Sequence, residues 1–204
     1  MGKCIYNMAI IGCGYWGIKH LRVLQELSQC SACVVESNSD RLVLLRQQYP
    51  GVHVYENLLA CVQNENIIAA VVATPAHTHY AIVSELLRRG VHVLCEKPLS
   101  RTGAEAREVY ELARHNACLL MAGHLFLHQP GIRAMASLIH SGAIGEVRHI
   151  ASWRSNLGPV RNDVNVLHDL LVHDISIING LLGGLPKSVA VQGPSRFFTA
   201  TTQR

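Results

Sequence analysis

Apolar residues fall in short unbroken runs over the first 123 positions, and helical periodicity fills the gaps between them. "IYNMAIIG" (5–12), "ACVVE" (32–36), "VHVY" (52–55), "IIAAVVA" (67–73), "VHVLCE" (91–96) and "CLLMAG" (118–123) read as strands. Runs that are apolar at every position suit strands buried on both faces, not strands with one wet face. Between them, Tyr15 to about Gln29 reads as an amphipathic helix, followed by one through Arg46 and a short one near Leu58. The stretch 76–90 is a helix closed by Gly90, and 102–116 is another. Strand and helix in strict alternation predict an α/β domain with a doubly wound parallel sheet covered on both sides.

The texture changes after Gly123. "PGIRAMASLIHSG" (130–142) predicts a helix that opens on Pro130 and closes on Gly142. "EVRHIASWRSN" (146–156) alternates and predicts a longer strand with one solvated face. The stretch 165–184 reads as a helix stopped by Gly183, Gly184 and Pro186, and "SVAVQG" (188–193) and "RFFTATT" (196–202) read as strands. The division is therefore a domain over 1–123 and the start of an α+β domain with an open, mainly antiparallel sheet over 124–204. Two or three strands and two helices cannot cover such a sheet, so this second domain is expected to be incomplete.

"GCGYWG" sets Gly12, Gly14 and Gly17 in G-x-G-x-x-G spacing, directly after the first strand and at the start of a helix. That context turns a weak motif into a dinucleotide-binding fingerprint, and the domain into a Rossmann domain. Gly12 serves the tight turn, Gly14 the approach of a pyrophosphate, and Gly17 close packing of helix on strand. Tyr15 and Trp16 lie in the same loop-helix junction. Glu36 ends the second strand about twenty residues on, where a carboxylate accepts from ribose hydroxyls. A 2′-phosphate would be repelled there, so NAD is expected ahead of NADP. Ligands of such sheets bind outside the carboxyl ends of the strands, which is where Ala73, Thr74, Pro75, Glu96 and Lys97 fall. Pro75 and Pro98 bias the preceding residues toward extended backbone, so Lys97 is held out of the following helix.

Composition narrows the alternatives. The 204 residues carry a formal charge of +4, and their Lys and Arg are scattered, which argues against nucleic-acid binding. No apolar run approaches the ~20 residues that span a bilayer. Asn7 interrupts the N-terminal apolar stretch and Tyr6 stands where a myristoylation signal needs Ser or Thr, so a soluble cytoplasmic protein is expected. Seven cysteines, mostly inside apolar runs, read as reduced buried thiols. The pair Cys30 and Cys33 has no second pair to complete a zinc site, and the His77/His79 and His124/His128 spacings have no acidic or cysteine partner. No metal is expected.

"GCGYWG", "ATPAHTHYAI", "CEKPLS" and "DVNVLHDLLVHDISI", in this order, resemble the Gfo/Idh/MocA family of NAD(P)-dependent oxidoreductases. The branch most similar comprises the UDP-N-acetylglucosamine and UDP-N-acetylglucosaminuronate 3-dehydrogenases. The resemblance implies a small-molecule sugar or nucleotide-sugar substrate, oxidised at C3 with NAD as acceptor. It implies that Lys97 hydrogen-bonds the reacting hydroxyl, that His173 is the general acid/base, and that Asp169 accompanies it. The spacing agrees: residues four apart on a helix share a face. Nicotinamide is expected near Lys97 and His79. Arg154, Asn156, Arg161 and Asn165 are candidate substrate residues, since guanidinium groups suit a diphosphate or a carboxylate. The family implies a cis peptide before Pro98, and homo-oligomers in its full-length members. "HDLLVHDISI" departs from the branch's W-D-L-A-P-H-D-I-S-I at His168 and at Leu171-Val172. Other chemistries of the family therefore stay open, namely polyol or aldose oxidation, a redox-neutral glycosidase and a non-catalytic NAD-binding regulator.

Overall fold

A computed structural model describes residues 6–155, 165 and 167–192. Cys4, Asn156, Arg161 and the stretch 196–202 lie outside them. The chain divides into two compact units, Met1–Gly123 and His124–Arg204.

The first unit alternates as the apolar runs require: β1 (Tyr6–Ile11), α1 (Tyr15–Glu26), β2 (Cys30–Val35), α2 (Ser39–Gln48), β3 (His53–Tyr55), α3 (Leu58–Asn64), β4 (Ala69–Val72), α4 (Ala76–Arg88), β5 (His92–Cys95), α5 (Gly103–His115) and β6 (Leu120–Ala122). The six strands pair in the order β3-β2-β1-β4-β5-β6, all parallel. The order reverses between β1 and β4, and that reversal opens a crevice at the carboxyl edge.

Side chains alternate across the pleat, so each strand feeds two cores. Ala9, Ile11 and Val72 pack with Val83, Leu86 and Leu87 of α4 and Val109 of α5 on one face. Ile10 and Val71 pack with Leu21 and Leu24 of α1 and Leu45 of α2 on the other. Local chemistry marks the helix starts. Asn38 caps α2 and Asn57 caps α3, each accepting a backbone N–H at 2.9 Å. Thr102 and Glu105 form a reciprocal capping box at α5.

The second unit contains a 3₁₀ turn (Leu125–His128), α6 (Pro130–His140), a π turn (Leu167–Leu171) and α7 (Val172–Leu182). Pro130 opens α6, and Gly183 at φ +68° closes α7. Two sequence expectations fail here. Residues 146–155 and 188–192 form no strand. A strand exists only through a partner, and among the described residues of this unit none pairs with either segment. Alternation alone could not reveal that. Burial is sparse as well: Leu181 is the only buried apolar side chain among the described residues of this unit. Among the described residues no helix is long and apolar enough to cross a membrane.

Candidate functional site

The register of the sheet places a row of sequence-distant residues side by side. Val35, Ile11, Val72 and Cys95 are partners across β2, β1, β4 and β5. The next residue of each strand therefore stands at the edge: Glu36, Gly12, Ala73 and Glu96, with Gly123 beyond β6. Each donates its N–H to a neighbouring strand. Gly12 bonds Val35 O at 2.8 Å, Ala73 bonds Ile11 O at 2.8 Å, Glu96 bonds Val72 O at 2.8 Å and Gly123 bonds Cys95 O at 2.7 Å.

Two glycines of the G-x-G-x-x-G turn are sterically compelled. Gly12 has φ +85°, and a Cβ there would come within 2.7 Å of Thr74 Cγ2. A Cβ on Gly17 would overlap the carbonyl oxygen of Gly12. Helix α1 thus sits directly against the turn, with Gly14 as its N-cap. A Cβ at Gly14 would have Arg41 Nη1 as its nearest neighbour, at 3.8 Å, which leaves the backbone approachable. Tyr15 and Trp16, 73% and 39% exposed, flank this entrance with the Lys19 ammonium 4.0 Å and 4.7 Å from their ring centres.

Glu36 is buried, and its carboxylate ties the crevice together. Oε2 accepts from Cys13 N–H at 3.0 Å and Oε1 from Asn38 N–H at 2.9 Å. Burial, reinforced by the Glu36 charge, pushes the Cys13 thiol up to about 11, so it stays protonated at neutral pH. Each carboxylate oxygen has a second lone-pair direction, so acceptance from a ribose hydroxyl remains chemically open. The residues present fit a dinucleotide: a cradle that any side chain would fill, and an acid at the ribose position.

Farther along the edge, the Lys97–Pro98 peptide is cis. His79 is 1% exposed and braces two loop tips, with Nδ1 2.8 Å from Pro98 O and Nε2 2.8 Å from Thr74 O. His79 thus has a bracing role at this edge, since both ring nitrogens face carbonyl oxygens. Glu96 points to α1, where Oε1 lies 2.9 Å from His20 Nε2. That contact spans 76 residues, and no motif in the sequence signals it.

In the second unit, His173 is buried, its ring 4.8 Å from Phe126 and nearly perpendicular to it. Asp169 lies in the π turn that leads into α7, four positions before His173. Asn165 acts as a cap: Oδ1 accepts from His168 N–H at 3.0 Å. Arg154 is paired through Nε to Asp174 Oδ2 at 2.7 Å and through Nη2 to Oδ1 at 3.1 Å. Its guanidinium also lies 4.6 Å from the Phe126 ring centre. Burial raises the Asp174 carboxyl, but the hydrogen bonds from Arg154 and Ser152 outweigh it and hold it below the ordinary carboxylate value. The partner of Asp174 is twenty positions upstream, and no motif in the sequence signals the pair. The pair borders a cavity of about 260 Å³ walled by Ile132, Met135 and Ile178.

The thiols of Cys30 and Cys33 approach different sulfurs: Cys33 Sγ lies 3.5 Å from Cys61 Sγ and Cys30 Sγ 3.8 Å from Met8 Sδ. Among the described residues no three His, Cys, Asp or Glu side chains gather as a metal site.

Comparison with known proteins agrees with this construction. Residues 6–124 match the model of the oxidoreductase family with an NAD-binding Rossmann fold, Gfo/Idh/MocA, and residues 132–202 match that family's C-terminal domain. The chain belongs to the Gfo/Idh/MocA family. It is 30% identical to inositol 2-dehydrogenase 2 of Saccharopolyspora erythraea, over 87% of this chain and 54% of that protein. It is 28% identical to UDP-N-acetylglucosamine 3-dehydrogenase of Acidithiobacillus ferrooxidans, over 90% of this chain and 56% of that protein. Among solved structures, GenD2 from gentamicin A biosynthesis, in complex with NAD, superposes with a TM-score of 0.78 at 25% identity, over 88% of this chain and 54% of that one. The chain spans about half the length of the curated relatives it matches.

Proposed function

We propose that this chain carries the cofactor site and the acid/base residues of an NAD-dependent dehydrogenase acting on a secondary hydroxyl of a sugar, with C3 of a UDP-linked amino sugar as the specific target. The observation that supports it most is the row of strand tips. Glycine cradle, buried ribose-type acid and the Glu96-Lys97-Pro98 turn stand on one carboxyl edge at the point where strand order reverses. Bound NAD supplies the acceptor for the electron pair that leaves the carbon. The protein's own part is proton handling and charge. His173 takes the hydroxyl proton, Lys97 hydrogen-bonds the oxygen and steadies its developing negative charge, and Asp169 supplies a carboxylate that favours the protonated imidazole. A cytoplasmic location belongs to the same reading, and homo-oligomeric assembly is expected of the family's full-length members.

Polyol oxidation is the second reading. His168 and Leu171-Val172 depart from the nucleotide-sugar pattern, and one relative is named for an inositol. Incubating the chain with NAD⁺ and either UDP-N-acetylglucosamine or myo-inositol separates the two by which one yields NADH. Product without net NADH would point to the redox-neutral chemistry. Lys97→Met is expected to lower turnover at least ~100-fold while the NADH Kd stays within about threefold of wild type. Full turnover in that variant would remove Lys97 from the mechanism.

A further inference from the structure

Among the described residues, Cys30 meets a thioether, and Cys95 and Cys118 meet carbonyl oxygens. Cys33 and Cys61 meet each other. Their sulfurs lie 3.5 Å apart although the residues are 28 positions apart, and both thiols are free and buried, 5% and 0% exposed. Neither belongs to the glycine turn or to the acid/base set. Cys33 lies inside β2, between Ala9 of β1 and His53 of β3, and Cys61 approaches it from α3. The hydrogen bond they share makes the two thiols chemically unequal. The Cys33 S–H donates to Cys61 and holds the Cys61 thiol below its ordinary value, against burial and the Glu65 charge. The same bond, together with burial, pushes the Cys33 thiol up. The elements around the pair are short. Tyr55 packs on this core and donates to Glu65 Oε1 at 2.7 Å, and His53 Nδ1 lies 2.6 Å from the same oxygen. β3 is three residues long and outermost in the sheet, and α3 is seven, the kind of element that opens locally at low cost.

We propose that Cys33 and Cys61 form a redox-modification site, a dithiol that hydrogen peroxide converts to an intramolecular disulfide clasping α3 to β2. Cys61, the thiol with more thiolate character, attacks the peroxide. Its sulfur gains an S–O bond as the O–O bond breaks, and the departing oxygen leaves as water with the Cys61 proton. Cys33 Sγ then attacks Cys61 Sγ. The S–S bond forms, the S–O bond breaks, and the hydroxyl leaves as a second water with the Cys33 proton. The two thiols lose two electrons and the peroxide gains them. The sulfurs close from 3.5 Å to ~2.05 Å, an approach that side-chain rotation and a small shift of a seven-residue helix supply. The clasp closes a loop that contains β3 and removes conformational freedom from the unfolded chain, so the oxidised first unit is the more stable form.

The test treats the full, folded chain with hydrogen peroxide, removes the excess with catalase, alkylates the remaining thiols in urea and maps the peptides by mass spectrometry. Wild type is expected to lose two of its seven alkylatable thiols, to yield a peptide pair joined through Cys33 and Cys61, and to recover both thiols with dithiothreitol. The oxidised chain should melt at least ~4 °C above the reduced one. Cys33→Ala is expected to stop at the Cys61 sulfenic acid, captured by dimedone, and Cys61→Ala to leave Cys33 unlabelled. The peptide map is read on wild type, so it decides the proposal even where an alanine variant melts early. A folded wild-type chain that keeps all its thiols, joins other cysteines or stops at unpaired oxidised sulfurs overturns the proposal. A Cys33–Cys61 link that forms only after urea has unfolded the chain overturns it too, and an oxidised form that melts no higher than the reduced one removes the clasp.

Discussion

Asp174 shows how much one side chain carries in a unit with little apolar core. It holds Ser152 and both donors of Arg154, and Arg154 in turn lies against Phe126. Removing the charge while keeping the shape, Asp174→Asn, leaves a guanidinium facing a neutral amide and should cost about 1–3 kcal/mol. The carboxyl is held below its ordinary value, so the folded state binds fewer protons than the unfolded state as pH falls. The stabilisation is therefore complete above the unfolded value near ~3.9 and is lost as pH drops through the lower folded value. Urea melts followed by a probe in the second unit should show wild type losing stability on acidification below about pH 4 and Asp174→Asn losing less. Identical acid dependence in both proteins would mean that the pair contributes nothing. None of this was visible along the chain, because the pair joins residues twenty apart and no motif links them.

At the scale of elements, α4 does more than cover the sheet. Its His79 fastens the tip of β4, through Thr74 O, to the turn after β5, through Pro98 O. Replacing it by leucine keeps the volume and removes the ring's hydrogen bonding, leaving the Thr74 and Pro98 carbonyls to find other partners. His79→Leu should cost about 2–3 kcal/mol in urea unfolding and weaken NADH binding several-fold, since the loops it ties line the crevice. A variant with wild-type stability and NADH affinity would show that the brace is dispensable. The parallel elements themselves were legible, because a strand buried on both faces must be apolar at every position and a covering helix must be amphipathic. The glycine turn was legible for a harder reason: backbone atoms occupy the space any Cβ would need. Residues 146–155 and 188–192 were not legible, since alternation describes a strand's faces and says nothing of whether a neighbour exists to pair with it. The π turn at Leu167–Leu171 was equally hidden, because one wide turn leaves the helical periodicity of α7 after it intact.

Across the whole molecule, apolar burial is concentrated in the first unit, where two cores flank six strands. The second unit, among its described residues, buries one apolar side chain together with His173 and Asp174. Cofactor binding therefore rests on the better-packed part of the chain, and the account's central claim is that this part forms a dinucleotide crevice. The most direct test is calorimetric titration of the full chain with NADH beside Gly17→Ala, whose added methyl meets the Gly12 carbonyl. The account predicts saturable one-to-one binding by wild type and a Kd raised at least ~10-fold in the variant, because helix α1 must move away from the turn. Absence of binding by a folded wild-type chain, or equal affinity in the variant, would contradict it.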